Sequence, residues 1–202
     1  MGKLFCILGK SGVGKNTLFD LILNDADIDI KPVVPYTTRP MRENETNGVE
    51  YHFVSVPRMN EMDAANEIIE KREYQTIKGL WHYFTVKFDI SGAKNHIIIT
   101  TPYAIPKFMK GLGAENVVVV YLYADDKTRL ERSISRESKE AAPNYAEVCR
   151  RYLADEEDFK GMAGWYHAHK FDIDTACNMK GCLAQFKAWY MVFGEVKSSY
   201  AR

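Results

Sequence analysis

The spacing of hydrophobic positions changes several times along the chain, and each spacing predicts a different element. Leu4 to Leu8 is a continuous apolar run that ends in a glycine-rich turn. Over residues 17–23 the apolar positions Leu18, Leu21 and Ile22 then share one helical face. The chain therefore opens as strand, loop, helix. Residues 97–100 and 117–122 are continuous and β-branched, the pattern of strands buried on both faces of a parallel sheet. Predicted helices follow over residues 105–110 and 126–136, and a short strand at 171–173 precedes a helix from about 180 to 193. Strands alternating with helices predict a doubly wound α/β core.

Between residues 35 and 90 the texture is different. Residues 48–56 and 68–85 alternate aromatic and polar positions, with a turn at Lys78-Gly79. This predicts a small mixed, mostly antiparallel region inserted into the α/β core. Residues 137–143 are charged and lack apolar periodicity, which predicts a loop between two helices. The expected division is a core over 1–34 and 86–202 and an inserted region over 35–85.

Composition narrows the choices. A chain of 202 residues with 46% hydrophobic content suits one soluble domain with a small appended region. Lys plus Arg (27) equals Asp plus Glu (27), so no global field draws in nucleic acid or a membrane surface. A local basic pocket remains compatible with that balance. No apolar run approaches the roughly 18–20 residues of a membrane span, and the N-terminal stretch does not fit a signal peptide or a myristoylation site. Cys6, Cys149, Cys177 and Cys182 show no zinc-ligand spacing. They are expected to be reduced thiols, two or three of them buried, in a cytoplasmic protein.

The run Gly9-Lys10-Ser11-Gly12-Val13-Gly14-Lys15-Asn16 has the spacing of a phosphate loop, with a strand before it and a helix after it. Glycines let successive N–H groups turn inward on a phosphate, and the helix start adds partial positive charge. Lys15 then supplies a full charge to the β- and γ-phosphates. A glycine turn with a solvated lysine would explain neither the three glycines nor the flanking elements. Residues 9–16, together with Thr17, are the expected ATP contacts. At the last loop position Asn16 stands where a hydroxyl ordinarily reaches magnesium; its amide oxygen can take that place, which makes Asn16 the expected metal residue.

A second constellation lies over residues 36–54. Arg39 and Arg42, with a tyrosine hydroxyl nearby, can wrap a phosphate dianion with forked donors, or can be solvated loop charges. The stretch resembles the guanylate kinase family, whose Thr-Thr-Arg is followed at set spacings by residues matched here by Arg42, Glu45, Gly48, Tyr51, Phe53 and Val54. The resemblance implies that Arg39, Arg42 and Tyr51 hold the phosphate of a monophosphate acceptor. Further on, Ile68-Ile69-Glu70 resembles the family's Phe-Ile-Glu, whose carboxylate accepts from the guanine base, and Tyr83-Phe84-Thr85 resembles its Tyr-Gly-Thr. Arg132, Arg136 and Arg151 fall where the family carries lid arginines for the transferring phosphoryl group.

Beyond the loop, the chain departs from the family pattern in three places. Pro35 replaces a serine of the base pocket, Phe84 replaces a glycine, and Thr100-Thr101 stand where the third strand ordinarily ends in aspartate. An acceptor for guanine's donors is thereby lost, at a cost on the order of 1–3 kcal/mol for an unpaired group. The resemblance implies a P-loop kinase fold with a helical lid over about 132–150, transferring phosphate from ATP with Mg2+ to GMP or dGMP. The implied catalytic set is Lys15, Arg39, Arg132, Arg136 and Arg151; the implied GMP set is Arg39, Arg42, Glu45, Tyr51, Glu70, Tyr83, Thr85 and Thr101. The partners are the two nucleotides, without nucleic acid or membrane, and the chain acts as a monomer or homodimer. Two alternatives remain: a kinase of this fold with another acceptor, such as a different nucleotide or ribose bisphosphate, or a non-catalytic interaction module.

Overall fold

The computed structural model describes residues 1–43, 45–76, 79–92, 94–160, 170–176 and 178–194. A five-stranded parallel sheet forms the core. Strand β1 (Leu4–Leu8) is central, and helix α1 (Lys15–Leu23) follows it. The sheet order is β2-β7-β1-β8-β9, with β2 at Ile30–Pro32, β7 at Asn95–Ile99, β8 at Val117–Tyr123 and β9 at Lys170–Asp174. Both faces of β1 are buried. Phe5 and Ile7 pack with Leu18 and Ile22 of α1 and with Cys182 and Phe186 of α6 (Met179–Phe193). Leu4, Cys6 and Leu8 pack on the opposite face with Ile105 and Phe108 of α3 (Ile105–Leu112). That two-sided covering is why the strand reads as an unbroken apolar run. Each such side chain contributes about 1.5–3 kcal/mol by leaving water.

A second sheet of four strands, in the order β4-β3-β6-β5, is formed within residues 36–86. Its strands are β3 (Tyr36–Thr37), β4 (His52–Phe53), β5 (Ile68–Thr76) and β6 (Gly79–Val86). β6 runs antiparallel to both β3 and β5, while β3 and β4 are parallel. The mixed, mostly antiparallel region expected from the alternation is therefore present; Lys78 of the expected turn lies outside the described residues. The region also contains a helix that the alternation does not reveal, α2 (Val56–Ala64). Ser55 caps it by accepting from the Arg58 N–H, and Met59 and Met62 bury against Phe84. Two buried positions in an otherwise charged segment are too few to draw a helical stripe.

Two further helices, α4 (Asp126–Glu137) and α5 (Tyr145–Asp158), are joined across residues 138–144, where the charged loop was expected. Asp125 caps α4 by accepting from the Thr128 N–H at 2.9 Å, and Asn144 caps α5 by accepting from the Glu147 N–H at 3.0 Å. Among the described residues no helix is long and apolar enough to cross a membrane. Cys6 and Cys182 are buried and Cys149 is exposed; Cys177 lies outside the described residues.

Candidate active site

The phosphate loop leaves the carboxyl end of β1, where open parallel sheets place their ligands. Gly12 (φ +84°) and Gly14 (φ +91°) occupy left-handed backbone conformations. A Cβ on Gly12 would lie 2.5 Å from the Arg129 carbonyl oxygen, and one on Gly14 would lie 2.6 Å from Met179 Cε. Helices α2, α4, α5 and α6 have side-chain caps, from Ser55, Asp125, Asn144 and Asn178. Helix α1, like α3, has none, and at the end of the glycine loop this leaves its first-turn N–H groups to a ligand. Lys15 folds back along the loop, its Nζ donating to the carbonyls of Gly9 (2.7 Å) and Lys10 (3.1 Å). Loss of hydration lowers its pKa to about 8, with Arg129 and Arg136 acting in the same direction and Asp155 against them. Asn16 and Thr17 are exposed on the first turn of α1.

Helices α4 and α5 close over this loop. Arg129 is 2% exposed and donates to the Ser11 carbonyl (3.2 Å), Asp126 (2.6 Å) and Glu156 (3.3 Å). Arg132 donates to the Thr175 carbonyl (2.6 Å) and lies 3.5 Å from that of Gly12. From α5, Glu156 accepts from Lys10 Nζ at 2.6 Å and Asp155 accepts from the Ser11 N–H at 2.6 Å. Arg136 is exposed, yet its charge bears on Lys15. Arg151 and Arg150 both donate to Glu147, an exposed pairing along α5 itself. The structure thus gathers Lys15, Arg132 and Arg136 around the loop and leaves Arg151 on the helix surface. Arg129 and Asp155 join α4 and α5 to the loop. Arg129 lies within the arginine-bearing stretch 128–132 that resembles the family, without being taken as a site residue, and Asp155 carries no motif that singles it out.

In the second sheet Arg39 is only 4% exposed. Its Nη1 donates to Glu45 Oε2 at 2.6 Å, its Nη2 pairs with Glu45 Oε1, and its guanidinium lies 5.2 Å from the ring centres of both Tyr51 and Phe53. The Arg39 bond holds the Glu45 carboxyl below the usual carboxylate range. Tyr51 and Tyr83 meet edge to face at 5.6 Å, and burial raises the Tyr51 phenol. Arg39, Glu45, Tyr51 and Tyr83 therefore form one cluster, with Glu45 spent on Arg39. The Arg42 side chain stays exposed at the rim, and its backbone N–H donates to Glu45 at 2.9 Å.

Glu70 of β5 faces Thr85 of β6 across the ladder, and Arg72 faces Tyr83. The buried Glu70 carboxylate accepts from Thr85 Oγ1 (2.8 Å) and from Arg72 Nε (3.1 Å) and Nη2 (3.3 Å). Arg72 Nη1 donates to Thr101 Oγ1 at 3.1 Å. Glu70, Thr85 and Thr101 are thus joined, through an arginine that sequence reasoning passed over. The available signal was the two-residue spacing of Glu70 and Arg72, which puts both on one face of a strand. A cavity of about 610 Å³ opens beside Arg72, lined also by Tyr74, Thr101, Tyr103, Lys107 and Asp158. Asp158 lies one helical turn beyond Asp155 on α5, so a single turn links this cavity to the phosphate loop.

The geometry can be set beside known proteins. The family model described as guanylate kinase matches residues 1–160. The guanylate kinase of Malacoplasma penetrans is 29% identical over 169 residues, which cover 78% of this chain and 83% of that protein. The guanylate kinase of Zymomonas mobilis is 46% identical over 69 residues, 34% of this chain and 32% of its own. The crystal structure of guanylate kinase from Anaplasma phagocytophilum superposes with a TM-score of 0.64 at 15% identity, covering 98% of this chain and 88% of the other, and so shares the fold. With the family model spanning most of its length, this chain belongs to the guanylate kinase family of nucleoside-monophosphate kinases.

Proposed function

We propose that the protein transfers the γ-phosphoryl group of ATP, in line and with Mg2+, to GMP or dGMP. The observation that carries this is the short span of α5: Asp155 touches the phosphate loop and Asp158 lines the cavity beside Arg72. A donor on the loop and an acceptor between the two sheets would then meet phosphate to phosphate. The loop amides and Lys15 hold the donor. Arg39, braced by Glu45, takes the acceptor phosphate with Tyr51, Tyr83 and the exposed Arg42. Arg132 and Arg136, with Arg151 after a swing of its side chain, neutralise the transferring group. An acceptor phosphate oxygen is already anionic, so positioning and electrostatics suffice without a general base.

In this proposal residues 35–85 form the acceptor-binding unit and about 132–150 form the lid on a core of 1–34 and 86–202. The exposed Asn16 amide and Thr17 hydroxyl offer neutral oxygens beside the phosphates. That donor set fits Mg2+, which keeps several waters and takes few protein ligands. When bound, the ion would offset charge on the β- and γ-phosphates. Lys15 held within its loop, with the α1 N–H groups uncapped, favours a working kinase over a non-catalytic module. A cytoplasmic monomer or homodimer, without nucleic acid or membrane partners, completes the proposal and accords with the even charge balance. The test is to quantify products from ATP, GMP and Mg2+. Equal accumulation of ADP and GDP is expected; tight ATP binding with GMP left unphosphorylated would overturn the assignment.

A further inference from the structure

The geometry points to Arg72 as the group that reads the acceptor's base, selecting a 6-oxopurine through its O6 and N7 edge. This rests on the proposed use of the inserted sheet as the acceptor site. Glu70 is 0% exposed at its side chain while Arg72 is 14% exposed, so a base entering the cavity meets the guanidinium before the carboxylate. A guanidinium carries five N–H groups. Three are engaged, two with Glu70 and one with Thr101, which leaves one on Nη1 and one on Nη2. Two neighbouring donors in a fixed plane match two neighbouring acceptors, the fit that arginine makes with guanine O6 and N7. Glu70 and Thr101 hold that plane in place from behind and from the side.

The surroundings suit a planar base better than a phosphate. The Glu70 carboxylate offsets the Arg72 charge, and along the cavity wall the formal charges of Lys71 and Lys107 equal in number those of Glu73 and Asp158, with Lys71 itself paired to Asp63. Tyr74 presents a partly exposed ring to the same space, which offers a stacking surface, while Lys107 Nζ lies 3.8 Å from the ring centre of Tyr103. Recognition by this edge ignores the 2-amino group that separates guanine from hypoxanthine. It rejects adenine, whose 6-amino donor would oppose an arginine donor. Thr101 then acts as an arm of the arginine, and its hydroxyl does the work of a support where a base-facing carboxylate is missing.

Calorimetric titration of the full chain with GMP, IMP and AMP tests this without depending on turnover. GMP and IMP are expected to bind within about threefold of each other, and AMP about a hundredfold more weakly. Arg72→Met is expected to weaken GMP and IMP alike by about ten- to a hundredfold, and Arg72→Lys, which keeps the charge but loses the fork, by a similar factor. Thermal melting checks that both variants are folded; the wild-type ratios stand whether or not they are. A preference for GMP over IMP greater than about thirtyfold, or Arg72→Lys binding like the wild type, would overturn the inference. Normal binding of GMP and IMP without ADP formation would instead count against phosphoryl transfer alone.

Discussion

At the phosphate loop the groups offered to a ligand are backbone N–H groups and one lysine. Across α5 they are side chains pinned to one another: Arg39 to Glu45, and Arg72 to Glu70 and Thr101. The two halves consequently respond to change in different ways. The loop's shape follows from glycines whose conformation no other residue adopts without strain, so its chemistry is fixed within nine residues of sequence. The inserted sheet, proposed as the acceptor side, depends on which residues the strand register brings face to face, so one altered partner would redirect what its pocket recognises.

The contrast can be broken or sharpened by substitution. Lys15→Ala should have the largest effect, lowering kcat/KM for ATP by about a thousandfold or more while the melting temperature moves little, because among the described residues its hydrogen bonds go to its own loop. Glu45→Gln should come next. It leaves Arg39 buried without its carboxylate, and KM for GMP should rise about ten- to a hundredfold with ATP binding unchanged; a calorimetric titration with each nucleotide separates the two. Unaltered GMP affinity in that variant would show that the clamp does not need its brace.

Glu70→Gln should be milder, raising KM for GMP about tenfold. As a support acting through Arg72, it should shift GMP and IMP together; a shift confined to GMP would mean that the carboxylate itself meets the base. The smallest effect is one of pH. In the proposed reading Lys15 binds phosphate as a cation; with its pKa lowered to about 8 in the free protein, kcat/KM for ATP should fall as pH rises through 8, by about tenfold between pH 7 and 9. At saturating ATP the bound phosphates favour the charged lysine, and kcat should hold to higher pH. A flat kcat/KM profile over that range would place the lysine outside the binding step.

Much of this was legible in residue order, and the failures share a cause. Walker-type spacing, the apolar runs of the core sheet and the alternation of the inserted region each depend on neighbours along the chain, and each appears in the structure. Arg39, Glu45, Tyr51 and Tyr83 also converge as their family spacing implies. Arg72 was missed because its meaning lies in Thr101, which is brought near by the meeting of two sheets and not by sequence. Read alone, Thr101 was a lost carboxylate. Beside Arg72 it is the acceptor that helps to fix a donor. Asp155 went unnoticed for the same reason, and Arg129, though inside the family-like stretch 128–132, was not given its contact with the loop, since each gains that role only when α5 and α4 settle on the loop. Helix α2 escaped because two methionines are too sparse a pattern.

The most direct measurement uses adenosine and guanosine joined 5′ to 5′ through a polyphosphate chain. If the loop and the inserted sheet face one another, this molecule should bind one per chain, compete with both ATP and GMP, and lose affinity in Lys15→Ala and Arg39→Met alike. Competition with ATP alone, with affinity indifferent to Arg39→Met, would contradict the facing arrangement.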